Sequence, residues 1–354
     1  MRGAVRRRGR MPPVAGSPWR LTAGAGLALT AVLFLLPLLT VRGEGGGAAG
    51  ETENAPLTAT APEGQTTRAA RDRGHIVKLL QPDGTVEELT MADYLFGVVA
   101  AEMPAAFEEE ALKAQACAAR TYTVVRQASA HAAHPQADVC TDSGCCQAYV
   151  ERQAAETRWG ISAGTYSAKI SQAVADTDGL GILYQGAPIQ AVFFSSAPGQ
   201  TADAVAVWGS QVDYLKSVSS PERDEVPNYR SQVVLTAEEV RSRVLAAYPG
   251  ADLSGDPSGW FGTPASSGGA VTSIPVGGVT LTGSQVRTLF SLRSAAFTVA
   301  WDGTSFTFSV TGYGHGVGMS QYGANAMAKE GSSFRDILTW YYTGAQVDDL
   351  WAES

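Results

Sequence analysis

An uncharged, largely apolar stretch of 21 residues, Leu21–Val41, follows a start that carries Arg2, Arg6, Arg7, Arg8, Arg10 and Arg20 and no acidic residue. A helix rises about 1.5 Å per residue and a bilayer core is about 30 Å thick, so the stretch is long enough to cross once. The basic flank predicts residues 1–20 in the cytoplasm and everything after Val41 outside, on a single-pass protein of the cell membrane. A cleaved signal peptide is the alternative reading. It fits less well, because the run exceeds an ordinary signal core and no clear Ala-x-Ala site follows. Either reading exports the rest of the chain.

Residues 42–74 are rich in Gly, Ala, Thr and Glu and nearly free of large apolar side chains, which predicts a flexible linker. His75–Ser354 then provides 280 residues, long for one simple domain and short for two, and is expected to form a single elaborated α+β domain with a substrate cleft. Setting aside residues 1–44 leaves 19 basic against 33 acidic residues, a net charge of −14. Such a surface argues against a nucleic-acid partner.

Local signals divide the domain. Asp83-Gly84 between alternating apolar residues predicts a hairpin, as does Asp302-Gly303 within AFTVAWDGTSFTFSV. Thr90-x-x-Asp93 has capping spacing and predicts a helix from Met91 to about Met103, stopped by Pro104. Glu108, Glu109 and Glu110 favour the start of a second helix running towards Val125. Tyr166–Thr177 reads as helix, Leu180–Tyr184 and Ile189–Ser195 as strands, 197–210 as a loop, TAEEVRSRVLAAY as a capped helix, and Ser333-x-x-Asp336 as the cap of the last helix.

Leu95, Val98, Val99 and Glu102 fall at i, i+3, i+4 and i+7, one face of the first helix. A carboxyl on an apolar face titrates high and can hold its proton, as a general acid must. Alternatively Glu102 pairs with a base such as Arg120, or reaches solvent past the helix end. Gly314, Gly316 and Gly318 around His315 let backbone approach a ligand closely, with His315, Gln321 and Tyr322 offering hydrogen bonds to it. The plainer reading is a tight turn whose imidazole caps a carbonyl. A serine hydrolase is disfavoured by the lack of a nucleophile elbow.

Three of the four cysteines, Cys140, Cys145 and Cys146, lie within seven residues, with His131 and His134 upstream; Cys117 sits apart on the second helix and reads as core. Outside the membrane a disulfide from Cys140 to Cys145 or Cys146 can persist, although it strands a thiol. One His with three thiolates also completes a tetrahedral zinc shell.

DYLFGVVAAEMPAAFEEEALKAQACAARTY at 93–122 and GHGVGMSQYGANAMAKEG at 314–331 are similar to the two signature stretches of the stage II sporulation protein D and amidase-enhancer family, with weaker similarity at 191–209 and 281–299. The resemblance implies that Glu102, the Glu of the EMP word, is the catalytic acid/base of a peptidoglycan lytic transglycosylase. The implied substrate is glycan strands stripped of stem peptides, in sporulation and engulfment, beside a cell-wall amidase and membrane partners. It places Arg120, Ser195, Ser196, His315, Gln321 and Tyr322 among the substrate contacts. SSAPGQT departs from the family's Ser-Gly-Gly-Thr-like run, which weakens the two serines. Some relatives bind zinc through a His, a Cys and an adjacent His-Cys pair, which maps onto His134, Cys140, Cys145 and Cys146 as a structural Zn2+ site. Cys145 replaces a His there and leaves the site more negative. Two other readings stay open: a non-catalytic peptidoglycan-binding enhancer of an amidase, and a zinc hydrolase built on the cysteine cluster.

Overall fold

The computed structural model describes residues 70–129, 132–223 and 225–352. The tail 1–20, the expected membrane segment 21–41, residues 42–69 of the expected linker and His131 lie outside the described residues. Among the described residues no helix is long and apolar enough to cross a membrane.

The chain enters through a short helix, α1 (Ala70–Arg73), whose Asp72 is fully buried. The expected linker is therefore too long at its C-terminal end, and the reason is a charge partner deep in the fold. Strands β1 (Ile76–Leu80) and β2 (Val86–Thr90) pair antiparallel around the Asp83-Gly84 turn, where the Asp83 carboxylate accepts from the Thr85 N–H at 3.0 Å and Gly84 has φ +88°. Helix α2 (Met91–Glu102) follows, its Thr90 hydroxyl accepting the Asp93 N–H as the spacing predicts. It is buried on nearly every side, from Met91 and Tyr94 through Ala100, so it is a core helix rather than one with a single apolar stripe.

Helix α3 (Glu109–Gln127) forms the axis of this first core. Its run of Ala111, Ala114, Ala116, Cys117, Ala118 and Ala119 is fully buried and lets neighbouring helices approach closely. Strand β3 (Val139–Cys140) adds parallel to β1, and helices α4 (Arg152–Trp159) and α5 (Ala163–Asp176) pack beside α2. Strands β4 (Leu180–Tyr184), β5 (Ala187–Pro188) and β6 (Phe193–Phe194) come next, so only two residues of the expected strand Ile189–Ser195 pair. The segment expected as loop holds one short helix, α6 (Ala204–Trp208).

From β7 (Arg230–Thr236) to β12 (Ser305–Thr311) the chain builds a second interior of its own. Helix α7 (Ala237–Ala247) carries the full capping box of Thr236 and Glu239. Strands β8 (Ala265–Ser267), β9 (Ala270–Val276) and β10 (Val279–Leu281) make one sheet, and helix α8 (Gly283–Phe290) leads to β11 (Phe297–Trp301). β11, β12 and β7 form a second antiparallel sheet in that order. Val240, Ile274, Val286, Phe290, Phe306 and Phe308 fill this lobe. The fold is thus α+β as expected, built from small sheets, but its interior is divided into two cores.

The chain leaves and re-enters the first core at neighbouring points: the Gly312 N–H donates to the Tyr229 carbonyl at 2.8 Å, and Ser196 and Tyr313 bridge as antiparallel partners. Strand β13 (Met319–Ser320) then pairs parallel with β6. Helices α9 (Gln321–Lys329) and α10 (Phe334–Tyr341) and strand β14 (Gln346–Asp349), antiparallel to β4, complete the first core.

Arg120, expected among the substrate contacts or as the partner of Glu102, is neither. It is fully buried in the middle of α3, donating to the two Asp72 carboxylate oxygens at 2.9 and 2.6 Å and to the Leu180 carbonyl at 2.8 Å. A buried guanidinium needs a carboxylate and several acceptors to offset its desolvation, and α1 and β4 supply them.

Candidate active site and metal centre

Glu102 is the last residue of α2, where Met103 turns extended and Pro104 prevents another helical turn. What brings cover to this helix end is Gly97. A Cβ there would lie 2.2 Å from the Tyr149 ring, and the Val150 N–H donates to the Gly97 carbonyl at 3.2 Å. Segment 147–150 therefore crosses α2 in direct backbone contact and delivers the Ala148 N–H to Glu102 Oε1 at 2.7 Å. On the other side the Gln321 amide Nε2 donates to Oε2 at 3.3 Å and to Gln115 Oε1 at 3.4 Å.

Glu102 is half-buried and belongs to no ion pair among the described residues. Burial raises its pKa above the ordinary carboxylate range, while the Ala148 and Gln321 hydrogen bonds partly oppose the rise. Its seat at a helix C-terminus, where the backbone dipole is negative, disfavours the anion further. A carboxyl so placed can hold a proton and still has two donors ready for the anion once the proton leaves.

Gln321 opens α9 and is held from behind. Ser320 caps that helix by accepting the Gly323 N–H at 3.2 Å, and its hydroxyl donates to the Ser195 carbonyl and to Glu222. Glu222 is fully buried and also accepts the Ala197 N–H at 2.6 Å. A Cβ on Gly323 would come within 2.1 Å of the Tyr341 hydroxyl and 2.3 Å of Ser220 Oγ, a hydroxyl pair itself 2.6 Å apart. None of Glu222, Ser220, Ser320, Ala148 or Gln115 stands out in the sequence. Ala148 acts through its backbone, and Glu222 reaches the site from a loop without periodicity.

The expected substrate residues divide. Gln321 touches Glu102, and Tyr322 is next in the chain, its ring edge-on to Phe107 at 4.9 Å and its N–H donating to the Ser195 carbonyl. Ser195 is half-exposed, whereas Ser196 is 2% exposed with its hydroxyl enclosed, which removes it from contact with a polymer. His315 is likewise corrected. Its Nε2 donates to the Phe193 carbonyl at 2.9 Å and its Nδ1 accepts the Val317 N–H at 3.2 Å, so both ring nitrogens are committed to backbone. Burial takes its pKa down to about 4, against the Phe193 carbonyl and with a smaller push from Arg287, so the ring is a neutral strut. The glycines beside it serve the same end: a Cβ on Gly318 would lie 2.1 Å from the Val192 carbonyl oxygen, and one on Gly314 2.7 Å from Phe194 Cβ. Their close approach is to β6, not to a ligand.

His134, Cys140, Cys145 and Cys146 gather with all four ligand atoms within 4.8 Å of one another. The four cysteines are free; the Cys145 and Cys146 sulfurs stand 4.0 Å apart, and Cys117 is core. His134 places Nδ1 3.1 Å from the Ala137 carbonyl, which turns Nε2 towards Cys146 Sγ at 3.3 Å. Tetrahedral zinc with Zn–S near 2.3 Å places its sulfurs about 3.8 Å apart, so this donor set fits such an ion. The cluster adjoins the acid: one residue, Gln147, separates Cys146 from Ala148, and Gln147 is itself buried, donating to the Tyr94 and Thr123 hydroxyls at 3.2 Å.

Fold and site together define an α+β protein with one unpaired, burial-shifted carboxyl at a helix end and a separate Cys3His cluster of the structural-metal kind. The sequence model described as SpoIID, Stage II sporulation protein, matches residues 82–184, a span that holds Glu102 and all four cluster residues. The chain is 38% identical to Stage II sporulation protein D of Bacillus subtilis (strain 168) over 91% of its own length and 94% of that protein. It is 37% identical to Stage II sporulation protein D of Bacillus amyloliquefaciens over 75% of the chain and 76% of that protein. It is 27% identical to the Amidase enhancer of Bacillus subtilis (strain 168) over 72% of the chain and 40% of that protein. The chain belongs to the stage II sporulation protein D family.

Proposed function

We propose that this protein is a lytic transglycosylase that cleaves peptidoglycan glycan strands with Glu102 as its single acid/base. The observation that carries the reading is a half-buried carboxyl, free of any ion pair among the described residues, whose pKa burial raises. Oε1 accepts the short bond from Ala148, which leaves Oε2, under the longer Gln321 bond, to carry the proton. Protonated Glu102 donates it to the glycosidic oxygen as the C–O bond breaks. The resulting carboxylate, met by the Ala148 N–H and the Gln321 amide, accepts the proton of the muramoyl 6-hydroxyl as that oxygen bonds to the anomeric carbon. The product is a 1,6-anhydro sugar, and Glu102 ends in its starting state. The 6-hydroxyl replaces the second carboxylate of an ordinary glycosidase.

Tyr322 and the half-exposed Ser195 beside Gln321 are the side chains best placed to contact sugar. The metal cluster has a different task. With four protein ligands, His134, Cys140, Cys145 and Cys146, a zinc ion there has no open position for water, so it would supply a structural clasp. That disfavours a zinc hydrolase. On this proposal the chain works outside the cell membrane in sporulation, with Leu21–Val41 as anchor, on strands from which an amidase has removed the peptides. The similarity to an amidase enhancer favours one second reading, a glycan-binding module that stimulates an amidase without cutting.

Digestion of peptide-free glycan strands separates the two. Anhydro-ended fragments by mass spectrometry are expected; reducing-end fragments, or binding without fragments, overturn the transglycosylase. A second experiment tests the acid's surroundings. Gln321→Leu removes a donor that lowers the Glu102 pKa. The alkaline limb of the kcat/KM profile is expected to move to higher pH, because the acid form then persists further, while the maximal rate falls.

A further inference from the structure

The metal cluster carries a charge imbalance. A dication, three thiolates and a neutral imidazole sum to one negative charge, and the cluster is largely enclosed, with His134 and Cys140 buried. An enclosed charge without a counter-charge is unfavourable. One positive group reaches towards the loop that carries it, by way of a tyrosine ring. Arg126 sits one helical turn past Tyr122 on α3, its guanidinium carbon 5.8 Å from the centre of the Tyr122 ring. The Tyr122 hydroxyl in turn donates to the Cys145 carbonyl at 3.5 Å. Arg126 Nε and Nη2 are both enclosed and have no hydrogen-bond partner. A guanidinium has five N–H donors and is normally satisfied when covered, so two unused ones point to a missing or diffuse acceptor.

We propose that Arg126 is the counter-charge of the Cys3His zinc site, balancing the extra thiolate that Cys145 contributes. The inference rests on the zinc reading above and concerns how this chain tolerates three sulfur ligands. A sulfur ligand is a diffuse, weak hydrogen-bond acceptor, so a guanidinium beside it acts mainly through charge. The pairing is specific to the ligand set. With a neutral imidazole in place of Cys145 the filled site is electrically neutral, and Arg126 loses its task.

Zinc affinity of the full chain, read by chelator competition, tests this with Arg126→Met, Arg126→Lys, Cys145→His and the double variant Cys145→His with Arg126→Met. Arg126→Met is expected to weaken zinc binding about 10- to 100-fold, the range for residues that support a metal's ligands. Arg126→Lys, which keeps the charge, is expected to retain most of the affinity and guards against simple misfolding. In the Cys145→His background the Arg126→Met step is expected to cost little. Equal losses in both backgrounds, or none in either, overturn the inference and reduce Arg126 to packing. A folded chain that takes up no zinc overturns the metal site itself and the inference with it.

Discussion

Glu102→Gln is expected to lower glycan cleavage about 100- to 10,000-fold, the usual contribution of a positioned acid/base, without weakening the fold. The amide keeps an oxygen for the Ala148 N–H and cannot lend a proton. Its effect on stability has a definite sign. The folded state raises the Glu102 pKa, so the group stabilises the fold fully only below its unfolded pKa and loses that contribution as pH rises through the folded one. Above that unfolded pKa the wild-type chain therefore carries an ionisation cost at Glu102. The Gln variant does not, and should unfold at equal or higher denaturant concentration there, the difference narrowing in acid. A variant as active as wild type would end the mechanism. One inactive but markedly less stable would show that Glu102 is structural.

Asp72→Ala is expected to destabilise the protein by about 3–5 kcal/mol, the cost of leaving a buried partner unpaired. Both members of the Asp72–Arg120 pair are fully buried, and Asp72 also accepts the Gly179 N–H at 3.4 Å. Urea unfolding reads the effect as a lower midpoint at unchanged slope. Asp72→Asn, which retains one acceptor, should lose less. The pair lies in the interior of the first core, so a loss of activity in these variants should follow the fraction unfolded. If Asp72→Ala unfolds like wild type, the chain before His75 does not contribute to the core.

Which parts were legible in the sequence follows from how local their causes are. Helix α2 could be bounded within a residue because Thr90, Asp93 and Pro104 act on their own neighbours. Both Asp-Gly hairpins follow from turn chemistry, and so do the caps at Thr236 and Ser333. The pattern that singles out Glu102 is only half right. Leu95, Val98 and Val99 do mark an apolar face, but α2 is covered all round, and Glu102 emerges because the helix stops there. Position along the axis, more than position around it, sets its exposure.

What was not legible depends on distant partners. Arg120 looked like a groove residue because nothing near it in sequence reveals Asp72, 48 positions away. Glu222 gave no signal in its loop, and the Ala148 N–H has no side chain to notice. Gly314 and Gly318 suggest room for a ligand in the sequence, when the neighbour they admit is the β6 segment of the same chain. The His and Cys cluster was legible because four donors of matching chemistry within 13 positions need few alternatives.

The adjacency of Tyr229 and Gly312 has a topological consequence. The chain between them leaves and returns through one doorway, and it also rests on the first core where Gly268 faces the Thr201 carbonyl and where the Gly314 N–H donates to the Arg293 carbonyl at 3.0 Å. Residues 230–311 are therefore an excursion pinned at both ends, which returns the chain to the first core one backbone contact from where it left.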